Sequence, residues 1–361
     1  MKKKIYLMRP SLDNNEIRSV KQVFKSKFLT EGNVTKKFEI GISNYVKTKF
    51  AIATTSATTS LHAVFECLNI KGKRILVSDF TFPATVDAII LAGGKPILVD
   101  VDIETMNITR DIVEQKNFDS IEIISPVSIF GNPLENEFYK LKKKMIVVED
   151  AATSLGSKLG SKFVGSLANV SCFSFHPRKI ITTGEGGMIT TDDRKLANKI
   201  KSFKSFGKKD NEFTSVGTNY KMSDIQSAIG LEQLRKIERI IKNRQKMAKI
   251  YSELFKKIDG IQIQKQTKNS RHTFQTFVCV ITKPNLRDRV IQKLAKNNIE
   301  SQIGTYALHC LPVFQKCSKH SSLKNSEFLY KNTISLPLHE EITQDDQEII
   351  CNIISKTLKN I

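Results

Sequence analysis

One lysine of the chain stands in a segment whose composition suits covalent chemistry on a carbonyl compound. Lys179 follows an extended apolar run at residues 170–175, and it precedes Gly184, Gly186 and Gly187. Glycines let the backbone turn tightly or approach a ligand closely. A lysine amine forms a Schiff base with a carbonyl group when its surroundings favour the neutral form. The alternative is an ordinary lysine on a surface hairpin, so residues elsewhere in the chain must decide.

Two other patches carry groups that could hold a ligand. Residues 53–62 read Ala-Thr-Thr-Ser-Ala-Thr-Thr-Ser-Leu-His, and apolar residues at helical spacing follow them. Free N–H groups at a helix N-terminus, together with hydroxyl groups, can bind an anion such as phosphate. The second patch is Asp150, which follows an apolar run at residues 145–148 and could hold a ligand nitrogen. In each case the alternative is a polar residue that only caps a helix.

The order of these patches along the chain is more informative than any one of them. An anion cradle, then a carboxylate, then a lysine are the groups that pyridoxal phosphate needs. The cradle would hold the phosphate, Asp150 the pyridine nitrogen, and Lys179 the aldehyde carbon. The sequence therefore predicts a pyridoxal phosphate site built from these three parts.

The elements that would position these groups follow an alternating pattern. Short apolar runs, mostly rich in β-branched residues, predict buried strands, and the stretches between them predict helices. The predicted strands are residues 75–77, 97–101, 121–127, 145–148 and 170–175, and the predicted helices are residues 84–91 and 137–142. The pattern predicts an α/β fold with a mostly parallel sheet, which places ligands at the carboxyl ends of its strands.

A further helix is predicted near the N-terminus. Asp13 and Glu16 form a capping-box pattern, which marks the start of a helix. The apolar residues at helical spacing that follow are Ile17, Val20, Phe24 and Phe28. These residues would form one face of the helix.

The chain length and a change of pattern near residue 235 predict two domains. Residues 12–235 would form a large α/β domain, and residues 236–361 a smaller α+β domain. A continuous helical pattern from about residue 223 to 258, with Ser223 as N-cap, predicts a long helix that links them. The smaller domain contains a predicted strand at residues 277–281 and predicted helices at residues 286–297 and from residue 345.

Composition argues against several classes of protein. The net charge of +21 could suit nucleic acid, but basic residues are interleaved with acidic and apolar ones, and the densest runs are three residues long. We therefore expect no nucleic-acid partner and a solvated lysine-rich surface, which could also attract an anionic substrate. Six scattered cysteines, without a C-x-x-C pair or a Cys/His cluster, predict reduced thiols and no metal site.

Targeting signals are also missing from the sequence pattern. Polar residues return at Arg9, Ser11 and Asp13 before the apolar core of a secretory signal could form. No uninterrupted apolar stretch reaches the ~18 residues of a membrane span. We therefore expect a soluble, cytoplasmic protein without a membrane partner.

The lysine segment resembles a family motif. Residues 174–187 read Ser-Phe-His-Pro-Arg-Lys-Ile-Ile-Thr-Thr-Gly-Glu-Gly-Gly, which is similar to the S-F-H-P-x-K-x-x-x-x-G-E-G-G pattern of the DegT-type (DegT/StrS) sugar aminotransferases. The likeness extends from residues 30–32 to residues 336–339. It implies a fold-type I enzyme dependent on pyridoxal phosphate, with a large, mostly parallel α/β domain and a smaller α+β C-terminal domain.

The resemblance implies roles for individual residues of the cofactor site. Lys179 would form the Schiff base and act as acid and base in transamination, and Asp150 would keep the pyridine nitrogen protonated. Ser174 would bind the phosphate with its hydroxyl, while Ala57 and Thr58 would bind it at the helix N-terminus. Ala57 stands where the family usually has glycine, which adds a methyl group to the cradle.

Three further positions complete the implied cofactor site. Phe82 matches an aromatic ring that stacks on the cofactor. Asn219 matches an asparagine that reaches the phosphate of the neighbouring subunit, which implies a homodimer with shared active sites. Thr153 stands where histidine or glutamine often contacts the ring oxygen, so its shorter hydroxyl could bridge through water or make no contact.

Candidate contacts to the substrate come from several segments. Residues 304–312 resemble the family segment whose histidine lies near the sugar, so Tyr306 and His309 could contact a keto sugar or its diphosphate. Thr30, His176 and Lys221 are further candidates of this kind. A purely structural histidine is the alternative for His309.

The resemblance implies transfer of an amino group, from an amino acid such as L-glutamate, to a keto group of a nucleotide-linked deoxysugar. Products of this kind usually feed amino-sugar and surface-polysaccharide biosynthesis. One alternative is a sugar dehydratase, but the family branch with that activity carries histidine at the position of Lys179. The other alternative is a basic binding protein without enzymatic activity.

Overall fold

The computed structural model describes residues 3–115 and 121–359. The helices of these residues are α1 (Asn14–Ser26), α2 (Asn33–Val46), α3 (Ala57–Cys67), α4 (Ala84–Leu91), α5 (Arg110–Glu114), α6 (Asn136–Tyr139), α7 (Arg194–Phe203), α8 (Asp224–Phe255), α9 (Arg287–Ala295), α10 (Lys324–Asn332) and α11 (Gln344–Lys359). The strands are β1 (Phe50–Thr54), β2 (Arg74–Ser78), β3 (Phe80–Thr81), β4 (Lys95–Val99), β5 (Ile123–Ser125), β6 (Ile146–Asp150), β7 (Lys158–Leu159), β8 (Lys162–Phe163), β9 (Val170–Ser174), β10 (Gly187–Thr191), β11 (Lys208–Lys209), β12 (Glu212–Phe213), β13 (Ile261–Ile263), β14 (Ser270–Arg271), β15 (Phe277–Ile281), β16 (Gln302–Ile303), β17 (Tyr306–Ala307), β18 (Ser318–Lys319) and β19 (Thr333–Leu336).

The main sheet has the order β1-β10-β9-β6-β5-β2-β4-β18. All pairings from β9 to β18 are parallel, whereas β10 is antiparallel to both of its neighbours. The predicted α/β fold with a mostly parallel sheet is therefore confirmed. Because the parallel strands run in the same direction, their carboxyl ends meet along one edge of the sheet.

Helices cover both faces of this sheet. Val147 and Val148 are neighbours on β6 and belong to separate buried clusters, one on each side of the sheet. The first cluster includes residues of α2 and α8, and the second includes residues of α3, α4 and α7. Successive side chains of a strand point to opposite faces, and burial on both faces explains the continuous apolar runs.

A smaller antiparallel sheet has the order β13-β15-β19-β16. Its side chains pack with residues of α8, α9 and α11 in a separate buried cluster. The chain then returns to the first part of the molecule, because β17 pairs with β3 and β18 pairs with β4 of the main sheet. The division of the chain at residue 235 stays a prediction.

The first helix begins as predicted. Asp13 caps α1 by accepting the Asn15 N–H at 2.8 Å, and the Glu16 carboxylate accepts the Asp13 N–H at 2.9 Å. The helix buries Glu16 and Val23, and Glu16 forms an ion pair with Lys236 of α8. The predicted apolar face lies largely outside the core, since the side chains of Ile17 and Phe24 are more than half exposed. Phe28 is also more than half exposed, but it does not belong to this face, because α1 ends at Ser26. No described helix is both long and apolar enough to cross a membrane.

Candidate active site

Asp150 lies at the carboxyl end of β6 with a buried side chain. The Thr85 hydroxyl donates a hydrogen bond of 2.7 Å to Oδ2, and the Ala152 N–H donates one of 3.0 Å to Oδ1. Burial raises the pKa of this carboxyl, while the two hydrogen bonds and the positive charge of Lys179 act in the opposite direction. The carboxylate is therefore held in one orientation, and a nearby cation would stabilise its charge.

Lys179 lies in the turn that follows β9. Its N–H donates a hydrogen bond of 2.8 Å to the His176 carbonyl, which holds the turn closed. The residue keeps some solvent-accessible surface, but burial lowers the pKa of its amine, and the charge of Arg178 lowers it further while Asp150 opposes both. A lowered pKa favours the neutral amine that attacks a carbonyl group.

The anion cradle lies where β1 leads into α3. Ser56 caps the helix by accepting the Thr59 N–H at 3.1 Å. The N–H groups of Ala57 and Thr58, in the first turn, have no intrahelical carbonyl to bond, so they remain for a ligand. The Ser56 hydroxyl caps the helix and still leaves these two N–H groups free. The turn is therefore compatible both with the predicted anion cradle and with the simpler alternative of a helix cap.

Strand β10 connects the cradle to Ser174. In the strand register, Gly187 lies opposite Thr54 of β1 on one side and opposite Ser174 of β9 on the other. A side chain at Gly187 would overlap the carbonyl oxygen of Ser56, so glycine is required for this close approach. Ser174 is therefore two strands from the start of α3, at the same edge of the sheet.

The residues at this edge suit pyridoxal phosphate. The helix N-terminus and a partly exposed hydroxyl can hold a phosphate group, and the buried Asp150 can hold a protonated ring nitrogen. Such a cation beside Asp150 would offset the unfavourable burial of its carboxylate. Lys179, with its lowered pKa, supplies the amine.

Thr153 and Phe82 lie in loops at the ends of strands. The Thr153 hydroxyl donates a hydrogen bond of 2.6 Å to the Ser128 carbonyl, so its oxygen is available to a ligand only as an acceptor. Phe82 lies between β3 and α4 and is 62% exposed. Its ring centre is 6.3 Å from that of Tyr306, so two aromatic rings line this part of the surface.

Tertiary structure brings Tyr306 and His309 to the end of β2. Tyr306 pairs with Thr81 of β3 in the β17–β3 ladder. The His309 N–H donates to Asp79 Oδ1 at 2.9 Å, and His309 Nδ1 lies 2.6 Å from Asp79 Oδ2. Asp79 is completely buried, so it fixes the imidazole rigidly and leaves Nε2 on the other side of the ring. In the described structure Nε2 lies 3.4 Å from the Cys310 sulfur.

Among the described contacts, Asp150 has no hydrogen bond or ion pair with the remaining predicted residues. The His176 imidazole lies 4.0 Å from the Glu185 carboxylate, and burial, with smaller effects of nearby cations, lowers its pKa. Thr30 is exposed in the loop between α1 and α2. The Lys221 ammonium lies 4.8 Å above the Phe206 ring, and Asn219 is exposed and bridges to Ser205. Their roles in binding stay predictions.

Comparison with known proteins identifies the family. The sequence model of the DegT/DnrJ/EryC1/StrS aminotransferase family matches residues 10–355. The chain belongs to this family. The predicted membership is confirmed over nearly the whole chain, and with it the fold-type I architecture.

The relatives of this family member include nucleotide-sugar transaminases. A UDP-4-amino-4,6-dideoxy-N-acetyl-beta-L-altrosamine transaminase of Campylobacter jejuni is 31% identical over 97% of this chain and 96% of its own. A GDP-perosamine synthase of Escherichia coli O157:H7 is 31% identical over 98% of both chains. The structure of Helicobacter pylori PseC, an aminotransferase of pseudoaminic acid biosynthesis, is similar with a TM-score of 0.93 and 27% identity, covering 99% of this chain and 100% of that chain.

Sequence reasoning missed several residues whose hydrogen bonds support the candidate site. Thr85 supports Asp150, Asp79 supports His309, and Ser128 supports Thr153. Asp79 directly follows strand β2, so an acid at a strand end was a usable signal. Nothing local distinguishes Ser128 or Thr85, because their partners are distant in the sequence.

Proposed function

We propose that this chain is a pyridoxal phosphate-dependent aminotransferase that moves an amino group from L-glutamate to a keto group of a nucleotide-linked deoxysugar. The observation that carries the proposal is the meeting of Lys179, Asp150 and the N-terminus of α3 at one edge of the main sheet. The Campylobacter and Escherichia relatives, named for UDP- and GDP-linked products, support the substrate class. We place the reaction in amino-sugar synthesis for surface polysaccharides.

The proposed mechanism assigns a separate task to each group. When bound, pyridoxal phosphate supplies an electron sink for the bonds at the amino-bearing carbon. Ala57, Thr58 and Ser174 would hold its phosphate, and Asp150 would keep a proton on its ring nitrogen. The neutral amine of Lys179 takes the proton from the amino-bearing carbon of the donor, and its ammonium form returns a proton in the next step.

The supporting contacts keep this geometry fixed. Thr85 and Ala152 donate hydrogen bonds to different oxygens of Asp150, so the carboxylate cannot rotate freely. Burial raises the pKa of Asp150, and a cation beside it would lower that pKa toward the ordinary range. The carboxylate would then stay charged and could hold the proton on the ring nitrogen. The site is therefore organised before the substrate arrives.

The sugar would bind on the side of the exposed aromatic rings. Phe82 and Tyr306 offer apolar faces to the cofactor and to the sugar, while His309, oriented by Asp79, offers Nε2 as a hydrogen-bonding group. The net charge of +21 favours capture of a diphosphate over a neutral sugar.

We also propose a homodimer with shared active sites. Ile17, Phe24, Phe28 and Leu29 expose apolar surface next to the Thr30 loop, and a second copy of the chain would cover it. Asn219, exposed in the single chain, would then reach the phosphate in the partner's site. The cytoplasm is the proposed location, because cysteines scattered in this way suit a reducing compartment.

Absorbance spectroscopy tests the proposal directly. Purified protein should bind pyridoxal phosphate with a visible absorbance band that glutamate bleaches, and a UDP- or GDP-linked keto sugar should restore it. Lys179→Ala should lose the band and the turnover, whereas Lys195→Ala, an exposed lysine of α7, should keep both. A bound cofactor that glutamate cannot convert would point instead to the dehydratase alternative. No affinity for the cofactor would overturn both enzymatic assignments.

A further inference from the structure

Glu149 is a buried charged residue that the proposed mechanism does not use. It precedes Asp150 on β6, so the two side chains point to opposite faces of the main sheet. Glu149 is completely buried. Its Oε1 accepts hydrogen bonds from the hydroxyls of Ser128 and Tyr139, the latter at 2.6 Å, and its Oε2 accepts one from Ser171 at 3.0 Å.

A carboxylate in this position is unfavourable unless its oxygens are paired. Burial raises the pKa of Glu149, and the charge of Asp150 adds to this, while the three hydroxyl donors act in the opposite direction. An apolar side chain would fill the same space without this requirement. The contacts that Glu149 makes therefore indicate what the residue does.

Ser128 is the contact that leads to the active site. Its N–H donates a hydrogen bond of 3.1 Å to the Asp150 carbonyl. Its own carbonyl accepts hydrogen bonds from the hydroxyls of Thr153, at 2.6 Å, and Ser154, at 2.7 Å. The backbone of Ser128 thus bonds both ends of the turn at residues 150–154, and the Ser128 side chain is held by Glu149.

Tyr139 and Ser171 do not share this connection. Tyr139 lies at the end of α6, and Ser171 lies opposite Glu149 in the β6–β9 ladder. Their hydroxyls satisfy the carboxylate, but neither has a described hydrogen bond to the turn at residues 150–154. Loss of the Tyr139 hydroxyl should therefore weaken packing without moving the turn.

We propose that Glu149 is a positioning residue of the active site, which acts through Ser128 to fix the turn that carries Asp150 and Thr153. The inference rests on the proposed function, because the task of Asp150 at the ring nitrogen gives this turn its importance. The turn itself can be measured independently of any cofactor.

Four variants test the inference. Glu149→Leu removes the acceptor of the Ser128 hydroxyl, and Ser128→Ala removes the hydroxyl itself. Glu149→Gln keeps one acceptor oxygen where Ser128 and Tyr139 donate, and Tyr139→Phe is the matched control that leaves Ser128 bonded. The readouts are amide hydrogen exchange at residues 150–154, the dissociation constant of pyridoxal phosphate, and the melting temperature.

Glu149→Leu and Ser128→Ala should both speed exchange in the turn and raise the dissociation constant roughly tenfold. Glu149→Gln should recover most of this loss. Tyr139→Phe should lower the melting temperature while exchange in the turn and cofactor affinity stay as in the parent protein.

Two results would overturn the inference. One is a Glu149→Leu protein that melts earlier but keeps parental exchange at residues 150–154, and the other is a Glu149→Gln protein as impaired as Glu149→Leu, which would assign the effect to charge. If Glu149→Leu does not fold, Ser128→Ala decides by the same exchange measurement. A parent protein that binds no pyridoxal phosphate would contradict the proposed function, whereas unchanged exchange would contradict only the role of Glu149.

Discussion

At the scale of single residues, the site combines two ionisable groups in surroundings that disfavour their charged forms. Burial lowers the pKa of Lys179 and raises that of Asp150, so both shifts favour the neutral forms in the protein without ligand. Each group can therefore gain a partner. The neutral amine of Lys179 can attack a carbonyl carbon, and Asp150 can pair with a cation. Perturbed groups of this kind cluster at functional sites.

The lowered pKa of Lys179 predicts a pH-dependent stability difference. The charged amine is penalised in the folded state, and this penalty is complete below the lowered pKa and disappears as the pH rises toward the ordinary value of 10.5. Cofactor-free Lys179→Met should therefore be more stable than the parent near pH 7, and the difference should shrink toward pH 10.5. Urea unfolding across this range measures it, and a difference that grows with pH would contradict the assignment.

Thr85 should be important for the charge of Asp150. Thr85→Val removes the 2.7 Å hydrogen bond to Oδ2 and leaves that buried oxygen unpaired. A hydrogen bond to a charged group contributes about 1.5–3 kcal/mol, so we expect kcat to fall roughly tenfold or more. Thr85→Ser keeps the hydroxyl and should retain most of the activity. Equal rates for the two variants would show that this contact does not matter for turnover.

At the scale of elements, one helix supplies the cap of another. Gly32 at the N-cap of α2 has no side chain to bond the first N–H groups of the helix. Asp224 in the first turn of α8 accepts them instead, from Gly32 at 2.9 Å, Val34 at 3.2 Å and Thr35 at 2.8 Å. The loop that carries Thr30 is thereby tied to the long helix.

Loss of this cap should destabilise the protein. Asp224→Ala leaves the N–H groups of Gly32, Val34 and Thr35, the last of them buried, without this acceptor, and we expect the free energy of unfolding to fall by roughly 3 kcal/mol. Asp345→Ala, an exposed acid in the first turn of α11, is the control and should change it little. Chemical denaturation of both variants measures the difference. A similar loss in the two would mean that the contacts of Asp224 add nothing beyond those of a surface acid.

Close packing of β10 on the anion cradle gives another prediction. Gly187→Ala pushes a methyl group into the Ser56 carbonyl, so the start of α3 must shift. We expect a loss of about 1–3 kcal/mol in stability together with weaker binding of pyridoxal phosphate. Gly72→Ala, at φ 76° in open space, should destabilise by strain alone and keep the affinity. Unaltered affinity in Gly187→Ala would separate this contact from the cradle.

At the scale of the whole molecule, a single chain leaves parts of the proposed site exposed. Asn219 and the apolar face of α1 lie at the surface, while Asp150 and Lys179 lie at or beyond the carboxyl ends of β6 and β9 in the main sheet. A second copy of the chain would bury the apolar face and complete the phosphate site. The two active sites would then each need residues of both chains.

Mixing of two impaired variants tests this sharing. Lys179→Ala protein should lack turnover, and Asn219→Ala protein should bind pyridoxal phosphate more weakly. If the sites are shared, subunit exchange between them should produce mixed dimers in which one site carries both lesions and the other is intact. Turnover at limiting cofactor should therefore rise above that of either parent. The absence of any gain, with exchange verified by native mass spectrometry, would show that each chain builds its own site.

The sequence alone determined the features that depend on near neighbours. The capping box at Asp13, the N-cap at Ser223 and the apolar runs of the parallel strands are local patterns, and the structure has helices and strands at these positions. The motif around Lys179 is local too. The elements that were not predicted include the strands β1 and β10 and the helices α2, α5, α7 and α10. Helix α2 has no side-chain cap in its own segment. Asp224 supplies the acceptor instead, and it lies 189 positions from Thr35 in the chain.

Only the tertiary structure decided which residues meet at the site. Thr85 bonds Asp150 across 65 positions of the chain, and Asp79 bonds His309 across 230. These contacts depend on strand order and on the return of the chain to β3, which no local periodicity encodes. The type of chemistry could be predicted because it depends on a few side chains in a motif, whereas their support depends on packing between distant segments.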